Sequence, residues 1–375
     1  MATIRRTEER DLDPIGDIAE AKRREYARYS PVFWRPHPEG RAPQIRFLRR
    51  QLTQETTLAF VSEERGAIGA FGIAVLRSVP AVDQPSGPVC LVDDFATLSA
   101  DAWPTSGWSV LDAILSAAAG AGAALAVVIS GRDDGPKCAM LEGAGFGPDS
   151  GWHVRERDRA TAAAPSADVR PAEARDAAGV LDLAIARRAP YERYQPSLWR
   201  RAGASRGEQV AAVASLIGDP NVATLVHETA GRLDGYAFGT VTSAPPVYDP
   251  GGPVCVVDDF AADGTDATAG LALLEAISRH GHERGTVLTV VIAGHADAPK
   301  RRLVAEHGFR QASEFYTRPL NGDADEPAHR EHEPHDGRPR PGRPRRGLFG
   351  GPIALGAPPS TRLDDGAWSR IRLCV

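Results

Sequence analysis

PVCLVDDFA at Pro88–Ala96 returns almost unchanged as PVCVVDDFA at Pro253–Ala261, and this pair of stretches decides the fold of the 375-residue chain. Their cysteines, Cys90 and Cys255, set an offset of 165 (255 − 90). The same offset carries Tyr26 onto Tyr191 and RYSPVFWR (Arg28–Arg35) onto RYQPSLWR (Arg193–Arg200). Further on, GPKCAMLEGAGF (Gly135–Phe146) meets APKRRLVAEHGF (Ala298–Phe309) at an offset of 163 (300 − 137), a slip of two that a loop absorbs. A period this long is a whole domain rather than a solenoid unit. The chain therefore reads as a duplicated fold: a first domain over 1–158, a small-residue linker over 159–167, a second domain over 168–320 and a tail over 321–375. The tail is rich in Pro and Gly with segregated charge, a composition that predicts disorder.

Hydrophobic periodicity outlines each copy. Helical spacing predicts a first helix (Asp11–Tyr26; Asp176–Arg188), a second after the aromatic block (Pro43–Leu52; Gly207–Ile217) and a third (Ser106–Ala119; Ala269–His280). Two strands joined by a short turn precede the DDFA strand. Apolar strands ALAVVIS and TVLTVVIA follow the third helix, then a short helix ending in Gly-Phe, then a last strand. The expected order is ααβββαβαβ, an α/β (α+β) fold with helices on a mixed, mostly antiparallel sheet.

Composition narrows function. With 42% hydrophobic and 25% charged residues the chain is globular in type, and no apolar run is long enough to span a bilayer. The first residues lack the apolar core of a secretory signal, so a cytoplasmic protein with no membrane partner is expected. A net charge of -5 and a pI near 6.1 disfavour a nucleic-acid partner. Cys90, Cys138, Cys255 and Cys374 have neither disulfide density nor metal spacing, so free thiols and no metal are expected. His329, His332 and His335 read as part of the solvated tail.

The candidate chemistry sits around the repeated motif. Two adjacent carboxylates in an apolar strand need a reason, because an unpaired charge is costly to bury. Alternation along a strand puts Asp93 and Asp94, or Asp258 and Asp259, on opposite faces. One is then free to enter a cleft as a general base while the other pairs with an arginine, and the residues leave open which. Of 44 basic residues only Lys22, Lys137 and Lys300 are lysines. Lys137 and Lys300 occupy equivalent places, from which each can reach a phosphate or pair with Asp134 or Asp297. Tyr26, Tyr29 and Trp34, with Tyr191, Tyr194 and Trp199, supply aromatic faces among arginines, suited to an amine or, for the Trp pair, to a core.

This order of elements, with Gly near the start of the third helix and a closing helix ending in Gly-Phe, resembles the GNAT superfamily of acetyl-CoA-dependent N-acetyltransferases over both copies. The resemblance implies tandem GNAT-like domains that form an intramolecular pseudo-dimer in a monomer. It implies acetyl-CoA as co-substrate and a small-molecule primary amine as acceptor. The alternatives are a non-catalytic acyl-CoA-binding or interaction protein, and one live domain beside a degenerate partner. The family's pyrophosphate loop, Gln/Arg-x-x-Gly-x-Gly/Ala, maps onto Gly270-Leu271-Ala272 in the second copy and onto Gly107 and Ser109 in the first, without the leading Gln or Arg. Backbone donors of Phe260, Ala261 and Ala262 would line the cofactor arm, with Lys300 beside a phosphate. The tyrosine that serves the family as general acid maps onto Leu141 and Val304, so the acid is absent from its usual place. Tyr316 on the last strand, or Tyr248 in the Pro-rich loop, is the substitute in the second copy, with His153 and Asp83 at those places in the first. The catalytic set expected is Asp258 or Asp259 as base and Tyr316 as acid.

Overall fold

A computed structural model describes residues 2–77, 87–157, 166–194, 205–262 and 267–320. Trp199, Asp83, residues 159–165 of the linker and the whole tail lie outside the described residues.

The first repeat runs β1 (Thr3–Arg6), α1 (Leu12–Tyr26), α2 (Arg41–Leu52), β2 (Thr57–Glu64), β3 (Ala67–Arg77), β4 (Val89–Thr97), α3 (Trp108–Gly120), β5 (Leu125–Gly131), α4 (Gly135–Gly143) and β6 (Gly147–Glu156). The second runs β7 (Val169–Pro171), α5 (Ala177–Tyr194), α6 (Arg206–Gly218), β8 (Val222–Thr229), β9 (Arg232–Thr242), β10 (Val254–Ala262), α7 (Ala267–Glu283), β11 (Leu288–Gly294), α8 (Ala298–Glu306) and β12 (Arg310–Pro319). The expected order holds, with a short opening strand added to each copy.

The repeat extends to local devices. Asp11 accepts from the Glu8 N–H at 2.8 Å and takes both ends of the Arg5 guanidinium, at 2.6 and 2.7 Å. Asp176, Glu173 and Arg170 do the same in the second copy, at 2.8, 2.7 and 3.0 Å. Each arrangement fixes the start of a helix and ties it to an edge strand. The β2–β3 and β8–β9 hairpins turn through Arg65-Gly66 and Ala230-Gly231, all four at positive φ, the geometry that matches the twist of the strands.

The described strands form one twelve-stranded sheet in the order β1-β2-β3-β4-β5-β12-β6-β11-β10-β9-β8-β7. Two features of that order position the site. First, the repeats exchange their last strands: β12 pairs with β5 of the first repeat, and β6 pairs with β11 of the second. Each repeat's sheet is completed by the other, and β6 and β12 join in the middle. Second, β4 and β5 are parallel only from Val89 to Val92, and β10 and β11 only from Val254 to Val257. Past those points β4 and β10 pair on one side alone, with β3 and β9. The strands splay apart there, and the carboxylate pairs begin where the splay begins.

Apolar clusters cover both faces. Leu12, Ile15 and Ile18 of α1 pack on β2 and β3, while Val110, Leu111 and Ile114 of α3 pack on the other face of the first half. Val180 of α5 and Leu273, Leu274 and Ile277 of α7 repeat the arrangement in the second half. No described helix is long and apolar enough to cross a membrane.

Candidate functional site

Asp258 and Asp259 share one face of the sheet, which corrects the expectation from strict alternation. A β-bulge in β10 between Val257 and Asp259 adds one residue and re-aims the side chains. The partners prove the geometry: Thr240 Oγ1 donates to Asp258 at 3.0 Å and Tyr236 donates its hydroxyl to Asp259. Tyr236 and Thr240 are four residues apart on β9, so they lie on the same face. The equivalent irregularity in the first half falls between Ile73 and Ala74, opposite Asp94 and Val92.

The two carboxylates of the second half differ in environment. Asp259 is further held by Lys300 Nζ at 3.5 Å. Asp258 keeps its Oδ1 buried and without a hydrogen-bond partner among the described residues. Burial dominates its electrostatics and raises its pKa to about 7, with Thr240 pulling down and Asp259 pushing up.

Behind this pair, Asp297 caps α8. It accepts from the Lys300 N–H at 3.0 Å, from the Tyr191 hydroxyl at 3.2 Å and from Arg187. Asp134 does the same for α4, bonded to the Lys137 N–H, to Tyr26 at 2.9 Å and to Lys22 at 3.3 Å. Tyr26 and Tyr191 thus anchor the first helix of each repeat to the helix that closes it. Gly131 and Gly294 are glycines because a Cβ there would strike those rings, 2.9 Å from Tyr26 and 2.0 Å from Tyr191.

The halves diverge at the splay. In the first half the Lys137 ammonium donates to the Phe95 carbonyl of β4 at 3.2 Å and to the Ile129 carbonyl of β5 at 2.8 Å, bridging the diverging strands. The Trp103 ring, fully buried, lies against Phe95 and within 5.4 Å of Lys137 Nζ. Burial lowers the Lys137 pKa to about 8, with Asp134 opposing. In the second half Lys300 turns instead to Asp259, its ammonium over the Phe260 ring.

The expected phosphate loops diverge too. Gly107 lies in a helical turn, Trp103–Gly107, that runs directly into α3, and the Trp108 N–H is already used by the Thr105 and Trp103 carbonyls. A Cβ at Gly107 would sit 2.8 Å from Trp103, so packing explains this glycine, and Ser109 follows within the helix. In the second half α7 starts at Ala267. Gly270 lies in its first turn. A Cβ at Gly270 would sit 3.0 Å from the Leu303 side chain, Leu271 packs on the core, and Ala272 is half-buried. Phe260 and Ala261 bury their side chains. Ala262 ends β10, leaving backbone to face the splay.

Tyr316 does not join Asp258 and Asp259. It lies on β12 opposite Val128 of β5, in the core of the first half, and its hydroxyl reaches Glu142 at 3.4 Å. Three strand spacings of roughly 4.8 Å separate β12 from β10, so the exchange removes it from the second cleft. His153 of β6 comes to the second half in its place, beside the charges of Lys300 and Arg301, with a pKa lowered to about 4 by burial. Tyr248 also crosses over: its ring packs on Trp34 of the first half at 5.3 Å. Sequence reasoning missed Tyr236 and Thr240 and placed His153 in the first half, because the surroundings of all three depend on register and strand exchange. Among the described residues no cluster of His, Cys, Asp or Glu is arranged to hold a metal ion.

No family model matches the chain, and no curated protein matches it. Solved structures do. The chain is similar to a tandem GNAT protein from the clavulanic acid biosynthesis pathway (16% identity, 85% of this chain and 99% of that one, TM-score 0.45). It is similar to a GCN5-related N-acetyltransferase from Sphaerobacter thermophilus (16%, 85% and 96%, TM-score 0.49). It is also similar to the PaiA N-acetyltransferase from Thermoplasma acidophilum in complex with coenzyme A (11%, 40% and 91%, TM-score 0.32). The structural neighbours of this chain are GNAT acetyltransferases, a tandem one among them.

Proposed function

We propose that the second repeat is the working half of an acetyl-CoA-dependent N-acetyltransferase that modifies a primary amine of a small molecule. The observation that carries this is Asp258: a carboxylate with one oxygen buried and unpartnered, and a pKa raised to about 7, at the mouth of two splayed strands. A base poised near neutral pH takes a proton from an amine without a large penalty in either direction.

The surrounding groups fit the co-substrate. Among the described residues the edge of β10 at Phe260, Ala261 and Ala262 pairs with no strand beyond β9, and it would offer backbone groups to an extended amide-bearing arm. The N-terminal end of α7, where Gly270 lies in the first turn, would present the partial positive charge of the helix to a pyrophosphate. Acetyl-CoA supplies a thioester-activated acyl group. Asp258 would take the proton from the acceptor nitrogen as that nitrogen bonds to the acyl carbon and the C–S bond breaks. The thiolate of coenzyme A would leave and take its proton from solvent. Lys300 and Tyr236 hold Asp259 beside Asp258, and Tyr191 and Asp297 fix the closing helix. Positioning accounts for most of the rate in such a direct transfer.

The first repeat is the degenerate partner in this reading, because the Lys137 ammonium and the Trp103 ring occupy its splay. Calorimetry with acetyl-CoA and a thiol-release assay over a set of primary amines test the proposal. One acetyl-CoA per chain and amine-dependent thiol release support it. Binding without thiol release for any amine supports the non-catalytic alternative.

A further inference from the structure

The three lysines of the chain, Lys22, Lys137 and Lys300, are all buried. Two of them are firmly engaged. Lys22 Nζ pairs with Glu25 at 2.9 Å and with Asp134 at 3.3 Å, and Lys137 Nζ donates to the Phe95 and Ile129 carbonyls on the two sides of the first splay. Lys300 is held more loosely. Among the described residues its ammonium has one hydrogen-bond partner, Asp259 Oδ1, at 3.5 Å, the long end of the hydrogen-bond range.

The place of that ammonium follows from the two residues it touches. Asp259 and Phe260 are neighbours on β10 and face opposite ways. Asp259 bonds to Tyr236, which packs with Val180 of α5, whereas Phe260 packs with Leu273 of α7 and Leu303 of α8. An ammonium that reaches Asp259 and also lies 4.5 Å from the centre of the Phe260 ring therefore stands level with the strand itself. At these residues β9 occupies one edge of β10, so the ammonium lies at the other edge, in the gap left where β11 has diverged. Lys137 has the same placement at the equivalent position, where it touches both strands of its gap.

This is the gap in which the acyl arm of the function proposed above would lie, so the reactive carbon of a bound thioester comes to the same opening as the Lys300 amine. A lysine amine is a competent nucleophile once it has lost a proton, and a carboxylate that can take one is already in contact. Competing acceptors are few. The other 41 basic residues (44 − 3) are arginines, whose guanidinium groups stay protonated.

We propose that the chain acetylates itself at Lys300, with acetyl-CoA as donor and Asp259 as the first proton acceptor. The ammonium passes one proton through Asp259 to solvent. The neutral amine then forms the C–N bond as the C–S bond breaks, and its second proton ends on the thiolate of coenzyme A. The products are acetyl-Lys300, free coenzyme A and one proton. The inference rests on the acyl-CoA reading of the second half and needs no acceptor amine.

The full chain is incubated with acetyl-CoA and no added amine, and its peptides are mapped by mass spectrometry while released thiol is followed. Acetyl-Lys300 should form about a hundredfold faster than acetyl-Lys22 or acetyl-Lys137, because only Lys300 gains from a donor held beside it. In the urea-unfolded chain the three lysines should react alike. Gly270→Trp, which should keep acetyl-CoA out, should leave Lys300 free, and Lys300→Arg should abolish the amine-independent release of one thiol per chain. Lys300 unmodified in the parent, modified no faster than Lys22 and Lys137, or modified equally fast in Gly270→Trp overturns the proposal. The first two readings come from the parent chain, so they decide it even where a variant fails to fold. Amine-dependent thiol release with Lys300 unmodified leaves the proposed function standing and this inference fallen. Rapid acetylation of Lys300 without turnover of any added amine does the reverse.

Discussion

Arg155 of β6 clamps Glu275 of α7 with both guanidinium nitrogens, at 2.6 and 3.2 Å, and the two residues come from opposite repeats. Both are almost wholly buried. Arg155 also donates to Ser278 Oγ and to the His307 carbonyl, each at 3.2 Å, and lies 4.5 Å from the Phe309 ring. The counterpart of Arg155 in the other exchanged strand, Arg318, donates to the Ala144 carbonyl at 3.0 Å near the Phe146 ring, and the position equivalent to Glu275 is the exposed Asp112. Among the described residues the exchange is therefore bolted by a buried ion pair on one side only.

Removing one partner of a buried pair leaves an uncompensated charge and costs about 3–5 kcal/mol. Glu275→Leu alone should lower the unfolding free energy, extrapolated from urea titration, by that amount. Arg155→Met with Glu275→Leu should recover most of it, because neither charge then remains buried. Arg318→Met should cost much less than Arg155→Met. Equal losses at the two arginines would contradict the asymmetry.

The strand exchange makes its own prediction for fragments. A chain of residues 1–158 has no β12 to cover β5, and its core lacks the Tyr316 ring, which packs among the first half's apolar residues. An uncovered edge strand pairs with other chains. That fragment should therefore aggregate or self-associate rather than give a folded monomer, whereas residues 1–320 should melt as one unit at the temperature of the full chain. Size-exclusion chromatography and calorimetry decide it; a monomeric, cooperatively melting 1–158 would refute the exchange in solution.

Much of this was legible beforehand. The duplication and the helices of each half follow from the repeat and from periodicity, and the DDFA carboxylates stand out as a pair without a choice between Asp258 and Asp259. The exchange was not legible, because β6 and β12 carry the same pattern whichever half they complete. The bulge was invisible for a related reason: one extra residue reverses the facing of every later side chain while leaving VDDFA unchanged. The opening strands, Thr3–Arg6 and Val169–Pro171, are too short for a period to register. The asymmetry between Gly107 and Gly270 was half legible, in Trp108 against Leu271, though the ring that crowds Gly107 is Trp103.

That asymmetry separates two glycine substitutions. A Cβ at Gly107 meets the rigid Trp103 ring at 2.8 Å and Thr97 at 3.0 Å, in a closely packed place. Gly107→Ala should cost roughly 1–3 kcal/mol of stability through overpacking. The acetyl-CoA affinity of the folded fraction should not change. Gly270→Trp, at the first turn of α7, should abolish acetyl-CoA binding. Calorimetric stoichiometry after each change is the measurement, and two sites per chain in the parent would refute the view of the first half as closed.

Asp258 makes a prediction in pH whose sign is fixed by its burial. The base works deprotonated, so kcat/KM should rise with pH through about 7, provided the chosen amine titrates well away from that value. Stability should move the other way. The folded carboxyl holds its proton up to about 7, while in the unfolded chain an aspartate releases it near roughly 3.9. Between those values the folded state binds more protons, so this group's contribution is whole at low pH and is lost as pH rises through about 7. Asp258→Asn removes the titration and keeps the Thr240 contact within reach. The variant should melt higher than the parent at pH 8 and match it near pH 4, while turnover falls by about a hundredfold or more and acetyl-CoA affinity stays unchanged. Asp259→Asn behaves differently, because Lys300 and Tyr236 hold that carboxylate and its loss leaves the Lys300 ammonium short of a partner; it should lower stability at pH 8. A parent rate that stays flat from pH 6 to 8 with an amine protonated throughout, or full turnover in Asp258→Asn, removes Asp258 from the chemistry and leaves its buried, unpartnered oxygen without a catalytic explanation.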